Sequence, residues 1–182
     1  MPALHLQLPR AASSIVLLVF AVGTATDPAG SKTSTPLANA EIAADMIEQR
    51  NAATVRAAFD QWKAGGDVFA ELLAPDVVWT IHGSGPVAGT YSGRDELIDR
   101  ASTPLVTRLA TPIVPKVHRI VADGGTVIVR FSGAATTRSG EPYRNEFVWI
   151  FRMRNNRVVE GEAFLDLVAY QRVVETDAPR PR

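Results

Sequence analysis

Between Tyr143 and Tyr170 the chain reads YRNEFVWIFRMRNNRVVEGEAFLDLVAY, two long alternating runs on either side of one polar turn, Arg154-Asn155-Asn156-Arg157. Apolar and polar residues that alternate over this length predict two adjacent antiparallel strands of a half-buried sheet. Side chains of a strand alternate between its faces, so Tyr143, Asn145, Phe147, Trp149, Phe151 and Met153 share one face of the first run. On the second run, read as a strand from Val158 to Tyr170, Phe164, Asp166, Val168 and Tyr170 share a face. The pattern sets a wall of rings against one amide and one carboxylate.

Upstream the period changes. From Asn39 to Ala64 alanines dominate, Gly and Pro are absent, and Ile47, Val55, Ala58, Phe59 and Trp62 recur on one helical face. Gly65-Gly66 ends this helix, Asp67 caps a short second one over Val68–Ala74, and Pro75 closes that. A strand is expected over Asp76–His82. The segment 83–93 carries four glycines without the spacing of a phosphate-binding loop. Ser92, with Asp95 three residues on, is the expected cap of a third helix over Arg94–Ser102, stopped at Pro104. Further strands over Ile113–Ala122 and Thr126–Thr137 turn at Asp123-Gly124-Gly125 and Arg138-Ser139-Gly140. Residues 173–182, with Pro179 and Pro181, read as a disordered tail.

Helices first and a meander of strands after them predict an α+β fold, a curved antiparallel sheet packed on N-terminal helices over residues 39–172. Val148 and Ile150 fall on the face opposite Trp149, where exposed apolar residues would suit a homodimer.

Ahead of this domain, residues 1–25 have the pattern of an export signal: a weakly basic start, an apolar run from Ala11 to Val22, then small residues. The run is too short for a lasting membrane span. A linker over 26–38, rich in Pro, Gly, Ser and Thr, would follow, and the mature protein would be secreted or periplasmic. The alternatives are a buried helix, or a true start at Met46 and a cytoplasmic protein.

Composition narrows the chemistry. The 182 residues carry 19 basic and 19 acidic side chains and no basic run, which argues against a nucleic-acid partner. There is no cysteine, so disulfides, thiol catalysis and cysteine-ligated metal are excluded. His5, His82 and His118 have no ligand spacing, and no metal is expected.

Two sets of residues point to a family. Trp79-Thr80-Ile81-His82-Gly83 is followed by Pro86, Ala88-Gly89, Tyr91 and Gly93-Arg94-Asp95; later come Tyr143, Asn145-Glu146-Phe147, Trp149 and Phe151, then Glu162-Ala163-Phe164-Leu165-Asp166. Their order and spacing over about 39–172 resemble SnoaL-like proteins of the nuclear transport factor 2-like superfamily. The resemblance implies a cone-shaped α+β barrel with a pocket between helices and sheet, no cofactor, and commonly a homodimer. It also implies a general acid/base aspartate at the position of Asp166. Relatives range from polyketide cyclases, isomerases, epoxide hydrolases and dehydratases to binding domains, so fold does not settle function. The first helix lacks the tyrosine of ketosteroid isomerases. Thr80-Ile81-His82 and Ser132 stand where epoxide hydrolases carry their polar set.

A carboxylate at 166 enclosed by Phe164, Trp149 and Phe147 would lose hydration and become a better base. His82, Asn145 and Tyr91 are candidate donors for a developing oxyanion, and Trp79, Tyr91, Asn145, Phe147, Trp149 and Phe164 the candidate walls. Against this, Glu160 and Glu162 share the parity of Asp166, and a charged parity is usually the solvated one; a bulge could reverse it. Asn145 in an aromatic row needs a hydrogen-bond partner in protein or ligand. Two functions stay open. One is a cofactor-free acid/base enzyme with Asp166 as base and His82 polarising, acting as a cyclase, isomerase or dehydratase. The other is a non-catalytic exported domain that holds a small apolar ligand.

Overall fold

A computed structural model describes residues 36–180. The expected export signal and most of the linker lie outside the described residues. Helix α1 spans Pro36–Lys63 and therefore begins inside the expected linker, with Pro36 at its first position, where a missing N–H costs nothing. Val55, Ala58 and Phe59 of α1 are buried and Trp62 packs against the core, whereas Ile47 is largely exposed. The end of α1 turns at Gly65, whose φ of 101° suits glycine. Helix α2 spans Val68–Leu72, and the Asp67 carboxylate accepts the N–H groups of Phe69 and Ala70, as an N-cap should.

Six strands follow: β1 (Leu73–Ile81), β2 (Gly89–Ser92), β3 (Val114–Asp123), β4 (Thr126–Thr136), β5 (Pro142–Arg154) and β6 (Arg157–Leu165). They form one curved, unclosed sheet in the order β2-β1-β6-β5-β4-β3. Two features differ from the sequence-based expectation. The glycine-rich loop contains β2, an edge strand paired with β1. The sheet is also not wholly antiparallel, because β1 runs parallel to β6. That pairing seats the early part of the domain beside its last strand. On its helical side, α1 is tied to the β3–β4 turn through Asn51 Nδ2 to the Gly124 carbonyl (3.1 Å) and the Gly124 N–H to Glu48 Oε1 (2.9 Å).

Between β2 and β3 the expected third helix is longer and irregular: α3 (Arg94–Leu97), a π-helical turn (Ile98–Ser102) and α4 (Thr103–Val106). Ser92 is not its side-chain cap; Gly93 holds the N-cap position, and the Ser92 N–H just before it donates to Glu96 Oε2 (2.7 Å). Pro104 does not stop the helix. Its missing N–H falls within the turn that widens to π geometry, and α4 resumes with Pro104 in its first turn.

The second run of the opening pattern is corrected most. It is not one strand to Tyr170: β6 ends at Leu165, and Asp166 caps a helix, α5 (Leu167–Thr176). Leu167, Tyr170, Val173 and Val174 of α5 pack on or within the core. The expected tail is thus structured well past 173. Val173 and Asp177 are buried, Ser139 N–H donates to Asp177 Oδ1 (2.8 Å), and Arg180 N–H donates to the Thr107 carbonyl (2.8 Å). No helix among the described residues is long and apolar enough to cross a membrane.

Candidate functional site

The inner face of β5 is as the alternation required. Tyr143, Asn145, Phe147, Trp149, Phe151 and Met153 are all buried. Their register to β4 and β6 sets Trp149 between Val129 and Ala163, and Phe147 between Phe131 and Leu165. Trp149 is the hub of the ring cluster. It lies edge-on to Trp79 (5.3 Å between centroids) and Phe131 (4.8 Å), and parallel to Trp62 of α1 (5.9 Å, 4°). Such edge-on and offset-parallel pairs are the favoured arrangements of ring quadrupoles.

These rings do not fill the space between sheet and helices. A cavity of about 560 Å3 remains, bounded by Trp62, Phe69, Trp79, Phe147 and Trp149 on one side. Leu97, Ala101 and Leu105, from the irregular helical segment, close the other, and Tyr170 of α5 joins the lining. The volume lies in the range of small-molecule sites. Tyr170 donates its hydroxyl to the Ala101 carbonyl within the π-turn (2.8 Å), which ties α5 to this wall. Burial pushes the Tyr170 hydroxyl up to about 12, so it stays protonated at neutral pH. Among the described residues two charged ones line it: Asp67, occupied as the cap of α2, and Arg180.

Of the expected site residues, Trp79, Phe147 and Trp149 line this cavity. The others do not. Asp166 is exposed, and its carboxylate accepts the N–H groups of Val168 (2.9 Å) and Ala169 (3.0 Å). Chain geometry turns it away from the rings: β6 has ended, and a helix N-cap must aim its side chain back along its own backbone. His82 stands on the outer face of the sheet. Its Nε2 is 2.7 Å from Glu162 Oε2, and its ring stacks on Phe164 (4.5 Å), itself largely exposed. Tyr91 is buried but donates its hydroxyl to the Val87 carbonyl (2.7 Å), fastening the loop before β2.

Asn145 is buried and fully occupied. Its Nδ2 donates to Tyr143 Oη (3.0 Å) and to the Asp166 carbonyl (2.9 Å), and its Oδ1 accepts the Asp166 N–H (2.9 Å). The partner it required is the backbone at 166, held at the point where strand becomes helix. Burial likewise raises the Tyr143 hydroxyl to about 12.

Sequence reading missed the wall made by Leu97, Ala101 and Leu105, and also Tyr170 and Arg180. The first three recur at spacing four, a helical period, but Pro104 reads as a stop. Tyr170 was placed on a strand. Among the described residues, no cluster of three or more His, Asp or Glu side chains is placed to hold a metal ion.

The model of the SnoaL-like domain matches residues 55–161, more than half of the chain and all six strands except the end of β6. The chain belongs to the SnoaL-like domain family. Solved structures show the same fold. A SnoaL-like polyketide cyclase from Jannaschia sp. CCS1 is 22% identical over 72% of this chain and 96% of its own, with a TM-score of 0.57. An NTF2-like protein of unknown function from Burkholderia pseudomallei is 24% identical over 69% and 98%, with a TM-score of 0.57. Bal32a, from a soil-derived mobile gene cassette, is 21% identical over 70% and 98%, with a TM-score of 0.59. At these identities the likeness concerns fold. Nothing among curated proteins matches this chain.

Proposed function

We propose that this SnoaL-like domain binds a small apolar molecule and holds it, without acid/base chemistry by Asp166. The observation that carries this reading is the ring-walled cavity of about 560 Å3, from which both Asp166 and His82 are excluded. General acid/base catalysis needs a titratable group within hydrogen-bond reach of the reacting atom. The Asp67 carboxylate is engaged by two backbone N–H groups, and a hydroxyl near 12 is a poor base at neutral pH. Rings on one wall and aliphatic side chains on the other suit a rigid, hydrocarbon-rich ligand. Export and self-association belong to the same proposal. An exported carrier accounts for the amino-terminal pattern of residues 1–25. A second copy on the outer sheet face would cover the exposed Val78, Ile128 and Phe164 beside the half-buried Val148 and Ile150.

All three tryptophans of the chain, Trp62, Trp79 and Trp149, line the cavity, so intrinsic fluorescence reports its occupancy. A neutral cage ketone, 2-adamantanone, is expected to change that fluorescence saturably. Filling the wall with Ala101→Leu should weaken it at least tenfold with circular dichroism unchanged. Native mass spectrometry of gently purified protein would show any ligand carried through. No saturable change with any apolar probe, in a folded protein, would remove the proposal.

A further inference from the structure

A guanidinium at the cavity adds a charge preference to the binding reading, on which this inference rests. Arg180 lines the cavity together with Leu109, Ala110 and Thr111. Its backbone N–H is fixed on the Thr107 carbonyl (2.8 Å), yet its side chain makes a single long contact, Nη2 to the Leu109 carbonyl at 3.4 Å. A guanidinium carries five donors, so most of this fork has no protein acceptor among the described residues.

Arg108 gives its Nε to the Asp177 carbonyl (2.9 Å) and its Nη1 to the Pro104 carbonyl (2.7 Å), both neutral acceptors. Neither Arg108 nor Arg180 forms an ion pair with a carboxylate among the described residues. The Asp177 carboxylate accepts the Ser139 N–H with Oδ1, and its side-chain hydrogen bonds hold its carboxyl below the usual range. Arg180 is exposed, and of the exposed arginines on the outer face Arg130 and Arg152 are each matched with a glutamate. An unmatched planar fork at the edge of an apolar cavity is suited to a carboxylate, which it can bind through two parallel hydrogen bonds.

We propose that Arg180 is a specificity residue and that the ligand is an apolar body bearing one carboxylate, docked on the guanidinium with its hydrocarbon against Trp62, Trp79 and Trp149. The carboxyl-terminal segment Asp177–Arg180 then serves as part of the binding site as well as a strap across α4.

The test compares two probes of equal shape, adamantane-1-carboxylate and adamantane-1-carboxamide, by tryptophan fluorescence at low and moderate salt. The carboxylate is expected to bind at least fivefold more tightly than the amide, with the preference shrinking as salt rises. Arg180→Gln should abolish the preference while leaving the amide affinity within twofold, and Arg180→Lys should restore part of it. Equal affinities in the unaltered protein, or a preference that survives Arg180→Gln, would overturn the assignment while leaving the cavity reading intact. If neither probe binds to folded protein, the cavity reading fails and this assignment fails with it. Thermal unfolding of each variant separates loss of the strap from loss of the charge.

Discussion

The two faces of β5 carry alternate residues of one segment and have opposite fates. Inward, Tyr143, Asn145, Phe147, Trp149, Phe151 and Met153 are buried among rings and aliphatic side chains. Outward, Arg144, Glu146, Val148, Ile150, Arg152 and Arg154 stay exposed or half-buried, and the charges pair across strands: Arg130 with Glu146, Arg152 with Glu160. The two side chains the sequence offered as acid and base, His82 and Asp166, have their ionisable groups away from the inner face. The lesson is that an aromatic strand predicts a cavity far better than a nearby carboxylate predicts its chemistry. Burial of rings gains free energy, whereas burial of a carboxylate costs it unless partners are built in.

The sharpest way to break the inner face is at Gly161, opposite Phe151 on β5 and Trp79 on β1. A Cβ there would lie 2.6 Å from Trp79 Cζ3. Glycine is needed at this position for space, not for backbone freedom. Gly161→Ala must push the Trp79 ring toward the cavity and should cost about 3 kcal/mol, in the upper range of overpacking. The check is a lower denaturation midpoint at unchanged slope, with weaker binding of any cavity probe. A neutral effect would mean the ring wall is loose.

Asn145 sharpens the comparison from within, as the one amide on the dry face. Asn145→Ala leaves the Asp166 N–H without its protein partner and the Asp166 carbonyl with only the Tyr170 N–H (3.2 Å). An unmet N–H of this kind costs about 1–3 kcal/mol. Chemical denaturation measures the loss. Proteolysis near 166 should rise with it, because the amide fixes the junction of β6 and α5. A merely space-filling role predicts instead that Asn145→Leu is tolerated.

What was legible follows the same division. Period-two alternation located all of β5 and the long strands β3 and β4 to within about a residue, since one buried face and one wet face leave an unambiguous record. Asp166 was misplaced because Leu167-Val168-Ala169-Tyr170 is as apolar and β-branched as the strand before it, so α5 read as its continuation. The signal present was Asp166 itself, an N-cap residue ahead of an apolar run. The bulge that would turn Asp166 inward is not there: the one register shift between β5 and β6 lies earlier, where Arg152 faces Glu160 and Met153 faces Val158 with Val159 as the extra residue of β6. That shift sets Val158, Gly161 and Ala163 inside and leaves Glu160, Glu162 and Phe164 outside. The charged parity of β6 was the wet one. Arg180 was unreadable, because its place depends on α5 carrying the chain back across Thr107.

Asp166→Ala therefore separates cap from base. Loss of an N-cap of this kind costs about 1 kcal/mol. Stability should fall by that amount while affinity for an apolar probe stays unchanged, and Asp166→Asn should recover most of the stability. A change in probe affinity, or a turnover that disappears with Asp166→Asn, would return the carboxylate to the site.

The smallest effect belongs to the outer face. His82 and Glu162 are 2.7 Å apart, but both side chains are substantially exposed, at 39% and 49%. Exposed pairs of this kind contribute at most about 1 kcal/mol and are screened by salt. Glu162→Gln keeps the shape and a hydrogen-bonding group beside the imidazole. It should move the denaturation midpoint less than Asp166→Ala does, and should leave ligand affinity unaltered. The stacking of His82 on Phe164 needs no charge and remains. Were Glu162→Gln to change self-association, measured by light scattering at matched concentration, the outer face would be the surface where copies meet. Were it to change ligand affinity instead, the division between a dry binding face and a wet, charge-paired one would not hold, because the pair lies on the opposite side of the sheet from the rings.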